Sequence, residues 1–277
     1  MVDDVQDIAA FYSGNPEREY NRLAQNQLEY DLTWRYFDQY LPAHGSILEV
    51  GAATGGYTVA LAARGYTVTA VDLSATLLDI CSTRLAQAGL SQQVHCLVAD
   101  ARDLSAVAEQ RFDVVLLMGP LYHLIAAADR ALAVQAAYAR LRPGGIICTS
   151  FISRFGILGD LMRRIPDWIE NQAEVRSFLE RGQRPDGAPR GGFRGYFAHA
   201  SELAPLHEAL GCETLVVAGV EPAISADDES YNRLQGAQRQ RWCDLLYEIS
   251  REPSTIGASR HLLYIGKRPC TGQAAAR

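Results

Sequence analysis

In residues 5–40 the apolar positions recur at helical spacing, with Leu28, Leu32, Tyr36 and Tyr40 at four-residue steps. This predicts a helical arm with one apolar face, interrupted near Gly14-Asn15-Pro16 and ended by Pro42 and Gly45. From Ile47 the pattern changes to short apolar runs: Ile47–Val50, Tyr66–Val71, Val94–Val98, Phe112–Leu117 and Ile146–Ile152. Helical stretches separate them, one from Tyr57 to Arg64, one from an N-cap at Ser74 to Ala88, and one from Asp129 to Leu141. Runs that are apolar on both faces suit strands of a parallel sheet between helix layers. After Phe151 the rhythm breaks. Residues 154–195 carry eight arginines, six acids and the loop-like RPDGAPRGG, which predicts an inserted cap with one or two helices from Ile157 to Arg181, then a loop to Gly192. The rhythm resumes with a helix from Ser201, its own N-cap, to Leu210. A strand over Glu213–Val220, a helix over Tyr231–Arg251 and a strand over His261–Lys267 complete the pattern. The predicted organisation is an arm (1–42), a core (43–153), a cap (154–195), the remainder of the core (196–270) and a disordered tail (271–277).

The stretch most informative about chemistry is ILEVGAATGG, from Ile47 to Gly56. A strand running into a glycine-rich turn and a helix start lets backbone approach a ligand closely and offers it free N–H donors. Formal net charge is -6, and residues 1–50 account for all of it with nine acids against three bases. No basic surplus is left to hold a nucleic-acid backbone, which argues against such a partner. The six cysteines are widely separated, with no Cys-x-x-Cys pair, and read as buried free thiols in a reducing compartment. The acidic N-terminus lacks a signal-peptide pattern, and no run reaches the ~18 apolar residues of a membrane span. A cytoplasmic protein, monomer or homodimer, is expected. His199, His207 and His261 carry no ligand spacing with one another, and no metal site is predicted.

Polar and glycine residues fall at the carboxyl ends of the predicted strands, where open α/β sheets bind ligands. Glu49-x-Gly51-x-Ala53-x-Gly55 resembles the acid-glycine loop of class I S-adenosylmethionine-dependent methyltransferases of the small-molecule type, with Ala53 in place of the middle glycine. Asp72, followed by Leu73, stands where that family grips the ribose hydroxyls. Ala99-Asp100-Ala101 resembles the segment framing adenine, FDVVLLMGPLYHL the fourth motif and LRPGG the turn before the fifth strand. The resemblance implies a Rossmann-like, seven-stranded, mostly parallel sheet and an S-adenosyl-L-methionine cofactor leaving as S-adenosyl-L-homocysteine. It implies Glu49, Gly51, Ala53, Gly55, Asp72, Leu73, Asp100, Ala101 and Met118 as cofactor-binding residues. Asp72 can also be read as a helix cap, a task that suits Ser74 better. A dinucleotide fingerprint G-x-G-x-x-G does not match, since the glycines fall at 51, 55 and 56.

After the fourth strand, Met118-Gly119-Pro120-Leu121 offers no amide or carboxylate for a base amine and no hard-cation ligand. Nucleic-acid amino-methylases and metal-dependent catechol methylases are disfavoured. Tyr122 and His123 are the polar groups beside the expected transfer site. His123 is read either as a general base or as a group orienting its loop, and Tyr122 as packing on cofactor or substrate. Tyr12 and Tyr20 either close over the cofactor or pack in the core. The acceptor pocket is expected between arm and cap, where Arg190, Arg194, Phe193, Tyr196 and Phe197 form either a basic-aromatic cluster or an ordinary loop and edge strand. The expected acceptor is a small molecule; the alternatives are a tRNA base and a binding protein without transfer.

Overall fold

The computed structural model describes residues 5–108, 111–183, 195–224 and 227–270. The arm comprises α1 (Gln6–Ser13), α2 (Pro16–Gln25) and α3 (Gln27–Tyr40). The expected break lies before Pro16, and Asn26 adds a second one that periodicity did not reveal. Then follow β1 (Ser46–Val50), α4 (Gly56–Ala63), β2 (Thr67–Asp72), α5 (Ala75–Gln87), β3 (Val94–Val98), β4 (Phe112–Leu117), α6 (Ala127–Ala139) and β5 (Leu141–Ile152). The cap contributes α7 (Leu158–Arg164), a 3₁₀ turn (Pro166–Glu170) and α8 (Gln172–Arg181). The chain closes with α9 (Leu203–Glu208), β6 (Glu213–Gly219), α10 (Asp228–Asn232), α11 (Gly236–Ile249), α12 (Pro253–Ile256) and β7 (His261–Lys267).

Among the described residues seven strands form one sheet in the order β3-β2-β1-β4-β5-β7-β6, with β7 antiparallel to both its neighbours, β5 and β6. Successive residues alternate between two cores. Ile47, Val114, Leu116 and Cys148 join the cluster holding α3, α4 and α11, and Leu48, Val115, Leu117 and Ile147 join the cluster holding α6 and α9. This is why the strands read as unbroken apolar runs. The chain winds outward from β1 to β3 and then in the other direction through β4 and β5, so a crevice opens between the ends of β1 and β4.

Three expectations need correction. Arg142-Pro143-Gly144-Gly145 lies inside β5, taken up as an irregularity between the pairs Phe112–Leu141 and Val114–Ile146. His199, not Ser201, caps the turn that starts α9, accepting from the Ser201 backbone N–H while Glu202 reaches back to the His199 N–H. The predicted helix over Tyr231–Arg251 is broken between Asn232 and Gly236 and ends at Ile249. Among the described residues no helix is long and apolar enough to cross a membrane. Every cysteine is a free thiol, four of them buried and Cys270 exposed.

Candidate cofactor and acceptor site

The turn after β1 is fixed by the sheet. The Gly51 and Ala52 N–H groups donate to Val71 O, and the Met118 N–H donates to Val50 O. Gly51 has φ +87°, and a Cβ there would lie 2.6 Å from Pro120 Cδ, so the turns after β1 and β4 can meet only because residue 51 is glycine. Ala53 sits at φ +49°, a left-handed conformation that costs a side-chain-bearing residue about 1 kcal/mol or more. Gly55, at φ +80°, sets the start of α4 against Cys81.

Around this turn lies a cavity of about 510 Å³, walled by the ends of β1 to β4 on one side and by the arm on the other. All nine residues expected to bind the cofactor, except Gly55, line it, together with Tyr122 and His123. Asp72 accepts from the Ala53 N–H at 2.9 Å and the Ser74 N–H at 2.8 Å, one bond on each oxygen. A carboxylate oxygen has a second lone pair, so capacity for two ligand hydroxyls remains. Ser74 itself caps α5, its hydroxyl accepting from the Leu77 N–H. Burial raises the Asp72 pKa in spite of these backbone bonds.

Glu49 is 1% exposed. Burial pushes its pKa up to about 8, against a 2.6 Å hydrogen bond from the Thr58 hydroxyl, so it is mainly neutral at pH 7. Asp100 is more committed than the sequence suggested. Both its oxygens accept from Arg102, whose other arm reaches Asp129 at 2.9 Å.

His123 is buried, with Nε2 2.9 Å from the Tyr12 hydroxyl, and Ser13 meets Ser74 hydroxyl to hydroxyl at 2.9 Å. Both contacts tie α1 down across the cavity mouth. Periodicity did not single out Glu19, Arg22 or Tyr30, which also line the cavity, because they sit on polar or mixed faces of the arm.

A second chamber of about 240 Å³ lies between the arm, α7 and β7. Tyr12, Glu19, Arg22 and Tyr122 border both spaces. At its floor is a buried ion network. Arg22 donates to both Glu29 oxygens, and Arg260 pairs with Glu221, with Asp228 at 3.0 Å and with Asp160 at 3.4 Å. Ligand atoms of Glu29, Glu221 and His261 come within 4.8 Å of one another, but guanidinium groups already engage both carboxylates. The set reads as a compensated ion network rather than a metal centre. In the expected basic-aromatic cluster, Tyr196 and Phe197 are buried in the core, whereas Arg190, Phe193 and Arg194 lie outside the described residues, as does the tail from 271.

A doubly wound sheet with an acid-glycine turn, a carboxylate at the end of β2 and a nucleoside-sized cavity at the switch point defines a class I S-adenosylmethionine-dependent methyltransferase domain. Residues 47–145 match the family model described as a methyltransferase domain. The chain is 27% identical over 156 residues to a tRNA 5-carboxymethoxyuridine methyltransferase of Escherichia coli, covering 55% of this chain and 57% of that one. It is 30% identical over 157 residues to a ubiquinone biosynthesis O-methyltransferase of Xylella fastidiosa, covering 54% and 59%. Both alignments span less than two thirds of the relatives' own length. A solved S-adenosylmethionine-dependent methyltransferase from Methanosarcina mazei shares the fold, with TM-score 0.59 and 16% identity over 85% of this chain and 97% of that one. S-adenosylmethionine is the cofactor of this domain, and the residues present fit it. The cavity volume is within the usual range for small ligands, Asp72 offers acceptors for hydroxyls, and Tyr12 and Tyr122 bring aromatic rings to its arm side.

Proposed function

We propose that this protein transfers a methyl group from S-adenosylmethionine to an O, N or C atom of a small molecule. The observation that carries the reading is the pairing of two adjoining spaces, a cofactor cavity at the switch point and a second chamber walled by arm, cap and β7. In this reading Asp72 holds the ribose, Ala99 to Ala101 flank the adenine, and Gly51, Ala53 and Met118 shape the turn around the donor.

The bound cofactor supplies an electrophilic methyl group on a good leaving group. The chain's own task is then mainly alignment, which can supply a large share of the rate. Tyr122, bordering both spaces, flanks the transfer path. His123 serves by holding Tyr12, and with it the arm, over the cavity, which excludes water from the reacting atoms. Free cysteines support a reducing compartment such as the cytoplasm.

The likeness to a tRNA methyltransferase favours a second reading, an RNA base as acceptor. Incubating the protein with labelled donor and, separately, total RNA and a small-molecule extract distinguishes the two. Label in the small-molecule fraction is expected, and label confined to RNA would replace this reading with the second.

A further inference from the structure

The floor of the second chamber has an arrangement that cofactor binding does not use. His261 opens β7 and pairs with Ile152 at the end of β5, which puts its ring at the ligand-binding edge of the sheet. Its Nδ1 lies 2.8 Å from Glu221 Oε2, and its backbone N–H donates to the same oxygen at 2.9 Å. Glu221 is fully buried, and its other oxygen is held by Arg260, so this carboxylate is not free to turn away. An imidazole that donates its Nδ1 proton to a fixed carboxylate keeps the lone pair on Nε2, the ring nitrogen left to the chamber that His261 lines. Phe11, Ile157, Leu161 and Phe197 supply apolar walls, and the volume admits a body about the size of one substituted ring. Tyr12, Glu19, Arg22 and Tyr122 line both this space and the cofactor cavity, so the two adjoin.

We propose that the second chamber binds the methyl acceptor, a compact and partly apolar molecule bearing a hydroxyl, and that His261, oriented by Glu221, is the general base for that hydroxyl. The proposal rests on the methyl-transfer reading. As the acceptor oxygen bonds to the methyl carbon, its O–H bond breaks and the proton passes to Nε2. The electron pair of the broken carbon–sulfur bond stays with sulfur.

Burial pushes the His261 pKa down, but Glu29 and Glu221 outweigh burial and Arg260 and raise it above the ordinary histidine value. Arg18, Glu19 and Arg22 from α2, Asp160 and Arg164 from α7 and Asp228 from α10 complete the charged surroundings. A base raised toward neutral pH is well matched to its task. The rate should therefore fall as pH drops through a midpoint above 6.5.

The test uses the full chain with ¹³C-labelled histidine, saturated with S-adenosylhomocysteine, and the variants His261→Gln and Glu221→Gln. By NMR, the resonance missing in His261→Gln should titrate above pH 6.5 in the wild type and lower in Glu221→Gln. With labelled donor and the small-molecule extract, the acid limb of the rate should follow that midpoint. In His261→Gln it should vanish, with the rate down about 10²- to 10⁴-fold and S-adenosylhomocysteine affinity unchanged. If Glu221→Gln does not fold, the His261→Gln profile decides alone. A His261→Gln protein that keeps the wild-type rate and acid limb overturns the base, and label confined to RNA overturns the small hydroxyl acceptor. A wild type that binds no S-adenosylhomocysteine, or transfers label to neither extract, overturns the methyl-transfer reading itself.

Discussion

Two single residues carry measurable consequences of the site's construction. Ala53 occupies a left-handed position that favours glycine, so Ala53→Gly should raise unfolding stability by about 0.5–1 kcal/mol, read by chemical denaturation. Glu49 is held neutral by burial, its pKa pushed up to about 8. The folded protein then binds a proton that the unfolded chain releases near pH 4.5, so this group's contribution is intact below that pH and is lost as pH rises through about 8. Glu49→Gln should melt like wild type at pH 5 and several degrees higher at pH 8.5. If the difference were equal at both pH values, Glu49 would not be the titrating group. Sequence pattern pointed to Glu49, Asp72 and Asp100 as residues but not to their states. Asp100 beyond β3 is linked through Arg102 to Asp129 on α6, 27 residues from Arg102, and neutralisation of Glu49 follows mainly from its burial.

At the scale of elements, the strands were the most legible part, since β3, β4 and β7 run between the very residues the apolar pattern marks. Most apolar residues of these runs face one of two cores, and that demand leaves a clear trace in sequence. Irregular pieces leave a weaker one. The break at Asn26 and the His199 cap depend on side-chain-to-backbone bonds that hydrophobic spacing does not record. The arm shows how such contacts serve the site, because α1 is tied across the cavity by Tyr12–His123 and Ser13–Ser74. Tyr12→Phe should speed hydrogen exchange in α1 and weaken S-adenosylhomocysteine binding about 5- to 10-fold, with the melting temperature nearly unchanged, since one part-buried hydrogen bond contributes only about 1 kcal/mol. Unaltered exchange in α1 would separate the arm from the cavity.

Across the whole molecule, the sheet order places the ends of β1, β2, β3 and β4 around one crevice, and this was legible because the marker residues end consecutive strands. The second chamber was not. Glu29 on α3, Glu221 after β6 and His261 on β7 are 192 and 40 residues apart in the chain, and nothing in their local patterns announces a meeting. Gly51→Ala should force the turns after β1 and β4 apart at the Pro120 contact, lowering S-adenosylhomocysteine affinity at least 10-fold. The proposed role of Asp72, holding an adenosyl cofactor in this crevice, is open to calorimetric titration of S-adenosylhomocysteine into the wild type and Asp72→Ala. One-to-one binding to the wild type is expected, with an affinity at least 30-fold weaker in the variant, where two ribose hydroxyls lose a charged acceptor at about 1 kcal/mol or more each. Equal affinity in the two proteins, or no binding to the wild type at millimolar ligand, would contradict it.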